Sequence, residues 1–318
     1  MGDAMAGALN LLLWRMPQMA ITLVLLSLAA WFSIGLMPGD PVSLAMISDP
    51  RLTPADIERL RALHGLDQSL IARYLAWAGG VLRGEFGYSR LFAQPVWRVL
   101  WPALLSTLAL VGTAVLLAAG LGIALGALAA LRPRAAPVVD GLALLAQAVP
   151  SFWLGILLII LFAVRLGWLP AGGAPDAGHS ALPFLVLPVA TIAFGQMAGY
   201  ARHAAAALSA ELSRPHITSA RARGAGERRL LWHHALPNAA VPLLTLLALD
   251  AGALVSGALV TETVFARPGM GKLLYDAVMG NDYNLALLAL LLVALVTMLA
   301  TLLADLAQRW IDPRIGER

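Results

Sequence analysis

Cysteine is absent from the 318 residues, which excludes a disulfide framework and any thiolate-based metal or redox centre. Charge is scarce as well. Only 13% of the chain is charged and 60% is hydrophobic, whereas a soluble domain carries roughly a quarter charged residues. The solvent that suits such a composition is a bilayer. A net charge of +4 would make nucleic acid a candidate partner for a soluble protein. Here much of the basic excess is what short loops on the inner side of a membrane carry, so no nucleic-acid partner is expected. The run after Arg15 stays apolar to Leu36, about 21 residues and long enough to span. No small-residue cleavage pattern closes it, so it reads as an uncleaved first helix rather than a signal peptide.

Six segments are long and apolar enough to cross as helices, near 16–37, 101–130, 138–164, 181–209, 237–261 and 284–307. The expected fold is therefore all-α and polytopic, with an N-terminal span and long loop over 1–100 and a five-span core over 101–318. An even number of spans puts both termini on one side. The 131–137 turn carries Arg132 and Arg134 without an acid, and the connector after the fourth span carries Arg202, Arg214, Arg221, Arg223, Arg228 and Arg229 against Glu211 and Glu227. The tail adds Arg309, Arg314 and Arg318. By the positive-inside rule both termini are cytoplasmic.

The loop over 38–100 is too long for that rule to govern and is expected outside. It opens on the turn-rich Met37–Pro41. A helix is expected to follow, with Thr53 as N-cap, Pro54 at its first position and Gly65 at its end. A second amphipathic stretch puts Leu70, Tyr74 and Trp77 on one face, which suits either an interfacial helix or a docking surface for a partner protein.

Between the fourth and fifth spans the chain reads ELSRPHITSARARGAGERRLLWHHALPNAAVPLL, Glu211 to Leu244. This is a helix, a glycine turn at 224–226 and a second basic helix running into Pro237. Small Ala220, Ala222 and Gly224 permit close backbone approach, and the arginines suit acidic groups on the rim of a partner's groove. An ordinary positive-inside loop would have the same charge. The spacing of Ala220, Gly224, Leu236 and Pro237 resembles the coupling-loop motif of membrane subunits of bacterial ABC importers, E-A-A, three residues, G, nine residues, I, one residue, L-P. Thr218, Ser219 and His234 depart from its glutamate, first alanine and isoleucine. The whole segment is very similar to the version in dipeptide, oligopeptide and nickel permeases. LMPGDPV, VPSFW with LGILLIILFAVRLGWLPAGG, ETVFARPGMGKLLYDAV and the closing DPRI resemble the B-type subunit of that family.

The resemblance implies a type I importer permease fold in a bacterial inner membrane, with 211–235 as the ATPase-coupling loop. Within or beside it, Ala220, Arg221, Arg223, Gly224, Leu236 and Pro237 are the motif residues. It implies as partners a second homologous permease, two ATP-binding-cassette ATPases, an extracytoplasmic solute-binding protein and membrane lipid. ATP and magnesium would sit on the ATPases, so this chain is expected to hold no cofactor and no catalytic residue. Peptides, nickel chelates and related small solutes all fit as cargo.

Several features imitate other functions. FARPGMGKL over 265–273 contains Gly-Met-Gly-Lys but lacks the first glycine and the Ser/Thr of a P-loop. His233 and His234 are adjacent, and neighbours one apart on a helix do not face a common metal. Asp305 and Arg309 are spaced as a local i,i+4 pair. Asp250 is the exception, because it falls midway along the fifth span, where a carboxylate costs roughly 2.5–3.5 kcal/mol. That cost points to a wet cavity on the translocation pathway, or to a hydrogen-bonding partner on a neighbouring helix. An ion-driven secondary carrier would need more intramembrane ionisable groups and an internal repeat. An intramembrane hydrolase would need a nucleophile with its base, or a metal-ligand set.

Overall fold

The computed structural model describes residues 2–35, 53, 68–175, 178 and 180–311. The expected 53–65 helix, the Met37–Pro41 turn and the DPRI tail lie outside them, apart from Thr53. The chain is helical almost throughout. In order come α1 (Gly2–Gly35), α2 (Leu70–Leu82), a two-residue hairpin pairing β1 (Tyr88–Ser89) with β2 (Gln94–Pro95), and α3 (Val96–Leu131). Then follow α4 (Ala136–Ala148), α5 (Ser151–Leu158) with a π-helical extension over Ile159–Arg165, α6 (Leu182–Leu212) and α7 (Pro215–Ala222). The short α8 (Glu227–Arg229) passes through a π-helical turn, Leu230–Ala235, into α9 (Leu236–Gly257). The chain continues as α10 (Leu259–Val264), α11 (Met270–Met279) and α12 (Tyr283–Ile311).

Among the described residues, four helical stretches are long and apolar enough to cross a membrane: Leu11–Ser33, Val96–Leu131, Leu182–Leu212 and Tyr283–Gln308. The expected straight third span is instead broken. Its halves Ala136–Ala148 and Ser151–Arg165 meet at 94°. The cause is local: Pro150 has no N–H to donate, and it pushes Val149 into an extended conformation. The expected fifth span, 237–261, overlaps α9, Leu236–Gly257, which is not among those four stretches.

The chain forms two compact units, one of residues 1–17, 102–272 and 293–318, the other of 18–101 and 273–292. In the first, α3 and α6 touch along Gly122 and Gly126. A Cβ on Gly122 would lie 2.4 Å from the Cβ of Tyr200, and one on Gly126 would lie 2.6 Å from the backbone oxygen of Ala201. This glycine pair four residues apart is how membrane helices bring backbones together where no hydrophobic effect drives them. Ala143, Ala146 and Ala198 do the same for α4 and α6. Asp305 pairs with Arg15 of α1. The side chain of Arg309, its expected i,i+4 partner, lies outside the described residues.

Also in this unit, Glu262 is fully buried and Thr107 donates a hydrogen bond to it. The N–H of Lys272 donates to the other carboxylate oxygen at 2.9 Å, and the N–H of Met270 to the Thr107 hydroxyl at 2.7 Å. The backbone amides of Met270 and Lys272 in the Gly-Met-Gly-Lys segment are therefore already occupied at the start of α11. Arg267 is buried beside them, and burial pushes its guanidinium below the ordinary arginine range while the Glu262 charge opposes that shift.

In the second unit Ser69 caps α2. Tyr74 meets Trp31 of α1 edge-on and Trp77 meets it at a tilt, and the Tyr74 hydroxyl lies 2.7 Å from that of Ser27. Two residues of the amphipathic face thus pack against α1, while Leu70 of the same face is exposed. Ser89 donates to Asp282 at 2.6 Å and the Asn284 amide to the Phe86 carbonyl at 2.9 Å, which ties the hairpin region to the start of α12.

Candidate coupling loop and intramembrane carboxylate

The connector after α6 is a built structure. Helix α7 ends in a Schellman turn: the N–H of Gly224 donates to the carbonyl of Arg221 at 2.9 Å, and that of Ala225 to the carbonyl of Ala220 at 3.2 Å. Gly224 has φ of +87°, a conformation that a side chain strains. Ile217, Ala220 and Leu230 form a small core beneath the turn, with Ala225 packed against it. Ala220 therefore faces inward. It allows α7 to sit on the segment that follows, while Ala222 and Gly224 are exposed. Arg221 and Arg223 are exposed beside them.

Leu236 packs on the cluster of Ala204, Leu208, Ala235, Ala239 and Leu243, while Pro237 is exposed in the first turn of α9. The motif residues thus divide into an outer set of Arg221, Arg223, Gly224 and Pro237, and an anchoring set of Ala220 and Leu236. His233 is exposed and His234 half-buried.

The sequence reading gave no role to the side chain that holds this loop in place. Glu211 is buried in the last turn of α6, accepts from the Asn238 amide of α9 at 2.9 Å, and pairs with Arg214 at 2.9 Å and His216 at 3.3 Å. The signal was available. A carboxylate at a helix C-terminus opposes the helix dipole, so a buried one there needs donors nearby.

Asp250 sits 14 residues beyond Leu236 on α9, about 21 Å along the axis, so the fold does not bring it to the loop. It is half-buried. On α6 the buried Tyr200 hydroxyl is its polar neighbour. Leu246 and Leu247, one turn before Asp250, pack against Tyr200. A polar neighbour on α6 is therefore within reach of the acid.

Membrane-length apolar helices carrying a basic, glycine-capped loop stapled at both ends define a multi-pass membrane protein. The fold agrees. The inward-facing MetNI methionine ABC transporter superposes with a TM-score of 0.55 at 20% identity, over 68% of this chain and 98% of that one. An amino acid ABC transporter with histidines gives 0.51 at 16% identity, over 67% and 94%. The chain belongs to the binding-protein-dependent transport system inner membrane component family, which matches residues 122–317. It is 32% identical to the oligopeptide transport system permease protein AppB of Bacillus subtilis, over 95% of this chain and 98% of that protein. It is 33% identical to the di/tripeptide permease DppB of Pseudomonas aeruginosa, over 89% and 91%, and to the glutathione permease GsiC of Escherichia coli K12, over 96% and 99%. The chain is therefore a transmembrane permease subunit of an ABC importer.

Proposed function

We propose that this permease carries short peptides or a related small solute inward, as one half of a transmembrane pair with a second, homologous permease. Two separate ATPase subunits hold ATP and magnesium, and an extracytoplasmic solute-binding protein delivers the cargo. The observation that carries the reading is the 211–235 loop. Its turn is rigidly capped, its exposed surface is small and cationic, and its ends are joined through Glu211 to the helices on either side. A loop built that way can pass the closure of an ATPase groove to α6 and α9 as a rigid lever, which is what biasing a bistable helix bundle requires. Six spans, with both termini and this loop cytoplasmic, complete the topology. The division into a 1–100 segment and a 101–318 core, and Asp250 on the pathway, belong to the same reading.

The peptide assignment draws on the relatives, several of which are named as peptide permeases. The test is co-purification followed by reconstituted uptake. ATPase chains bound to the permease, with ATP-dependent accumulation of a labelled dipeptide or tripeptide, support the reading. Uptake that follows an ion gradient in the absence of ATPase chains would instead identify a secondary carrier.

A further inference from the structure

Between α3 and the helix that runs from Leu230 through α9 lies an elongated cavity of about 450 Å³. One wall is Gly120, Ala124 and Ala127 of α3; the other runs from Trp232 through Leu236 to Leu247. Its lining residues are apolar throughout, apart from the indole N–H of Trp232. The second wall, from Leu231 to Leu247, is about 24 Å long at helical rise. One leaflet's hydrocarbon is roughly 15 Å deep, so an extended acyl chain fits along it.

Both walls reach arginines at the same end. Beyond Ala127, α3 ends at Leu131 and is followed by exposed Arg132 and Arg134. On the other wall exposed Arg228 and Arg229 come one turn before Trp232, which is itself exposed. An apolar slot, a tryptophan at its mouth and arginines on both sides of that mouth match an anionic phospholipid in each of its parts: acyl chain, interfacial region and phosphate. Neutral lipid would satisfy the slot and leave the guanidinium groups without an anion.

We infer that this slot is a binding site for one anionic phospholipid, with its acyl chain between α3 and α9 and its headgroup held by Arg228 and Arg229, assisted by Arg132. The site is separate from the outer coupling surface of Arg221 and Arg223, and its occupant wedges the junction between the coupling loop and α9. Lipid composition is thereby linked to the stability of that junction.

The test is native mass spectrometry of the detergent-purified permease complex after exchange into nanodiscs of phosphatidylcholine with or without phosphatidylglycerol. The expected result is one retained phosphatidylglycerol per copy of this chain. At roughly fivefold for each arginine, the paired substitution Arg228→Gln with Arg229→Gln should weaken retention by about thirtyfold. Ala124→Phe, which fills the slot from an exposed position, should expel the lipid while all four arginines remain. Equal retention of the two lipids, or retention indifferent to the arginine pair, overturns the inference. So does loss of the second permease subunit in Ala124→Phe with lipid binding unchanged, which would make the slot a protein interface. Loss of ATPase chains in the arginine variant with lipid binding unchanged would likewise assign those arginines to docking.

Discussion

The Glu211 carboxylate receives the side-chain amide of Asn238 at 2.9 Å, which joins the helix entering the basic loop to the helix leaving it. The same carboxylate pairs with Arg214 at the start of α7, so one acid fixes three segments. Removing it strands several donors, a loss that exceeds a single net hydrogen bond. Glu211→Ala should lower the stability of the permease by about 1–3 kcal/mol, read as a lower thermal midpoint of the complex. ATPase stimulation by loaded binding protein should fall with it. Glu211→Gln keeps the carbonyl that Asn238 needs and should lose less on both measures. Equal behaviour of Ala, Gln and wild type would show that the loop is held by its apolar anchors alone.

Gly224 has two separable duties, the left-handed cap and the exposed surface. Gly224→Asn tolerates the positive φ and adds little bulk, so it should retain most transport. Gly224→Trp accepts a backbone strain of about 1–2 kcal/mol and also obstructs approach to a groove. Reconstituted uptake should then collapse while the purified permease still folds, as judged by its thermal midpoint and yield. Normal uptake and ATPase stimulation in Gly224→Trp would remove this turn from the docking surface.

Orientation can be read with single cysteines, because the natural chain has none and the background is clean. Cysteines at 132 and 225 should react with impermeant maleimide only after the membrane is opened, and one at 60 should react in intact cells. Labelling of 225 from outside would reverse the topology and remove the coupling reading with it.

Gly126 is pressed against the backbone of α6 at Ala201 and Ala205. Gly126→Leu therefore forces two helices apart instead of displacing a flexible side chain, and it should cost at least the ~1–3 kcal/mol typical of overpacking. A substitution at Gly112 of the same helix, where no atom lies within 4 Å of an added Cβ, is the control. Similar thermal midpoints for Gly126→Leu and Gly112→Leu would show that the helix contact yields more readily than its distances imply.

The apolar runs and the arginine-rich loops were legible in the sequence because helix length and membrane hydropathy are local properties. The break at Pro150 was legible in principle, since proline restricts its neighbour, but the apolar run passes through it and hides the bend. Pairings of distant charges were not legible: nothing local links Asp305 to Arg15, and only the packing of α1 brings them together. The coupling motif was found by its spacing, while its division into an inward Ala220 and an outward Gly224 depends on the Schellman turn. Tyr74 and Trp77 showed which face of α2 is aromatic, but periodicity is silent about whether that face meets lipid, a partner or α1.

Asp250 offers the sharpest choice between a pathway group and a structural one. It is half-buried near the middle of α9, with the Tyr200 phenol opposite and packed leucines one turn before it. If its carboxylate meets the passing solute, Asp250→Asn preserves shape and one acceptor but removes the charge, so uptake rate or solute preference should change while complex assembly survives. If its role is only to face Tyr200, Asp250→Asn should be nearly silent in transport. Asp250→Leu would then chiefly lower stability, because the phenol loses its polar neighbour. Tyr200→Phe separates the two further: it removes the hydroxyl with little change of volume and, on the pathway reading, should leave solute preference close to wild type. The expected outcome is a several-fold fall in ATP-dependent uptake for Asp250→Asn with an unchanged thermal midpoint. Wild-type uptake kinetics in Asp250→Asn, together with a lowered midpoint in Asp250→Leu, would take Asp250 off the pathway and leave it as a partner of Tyr200.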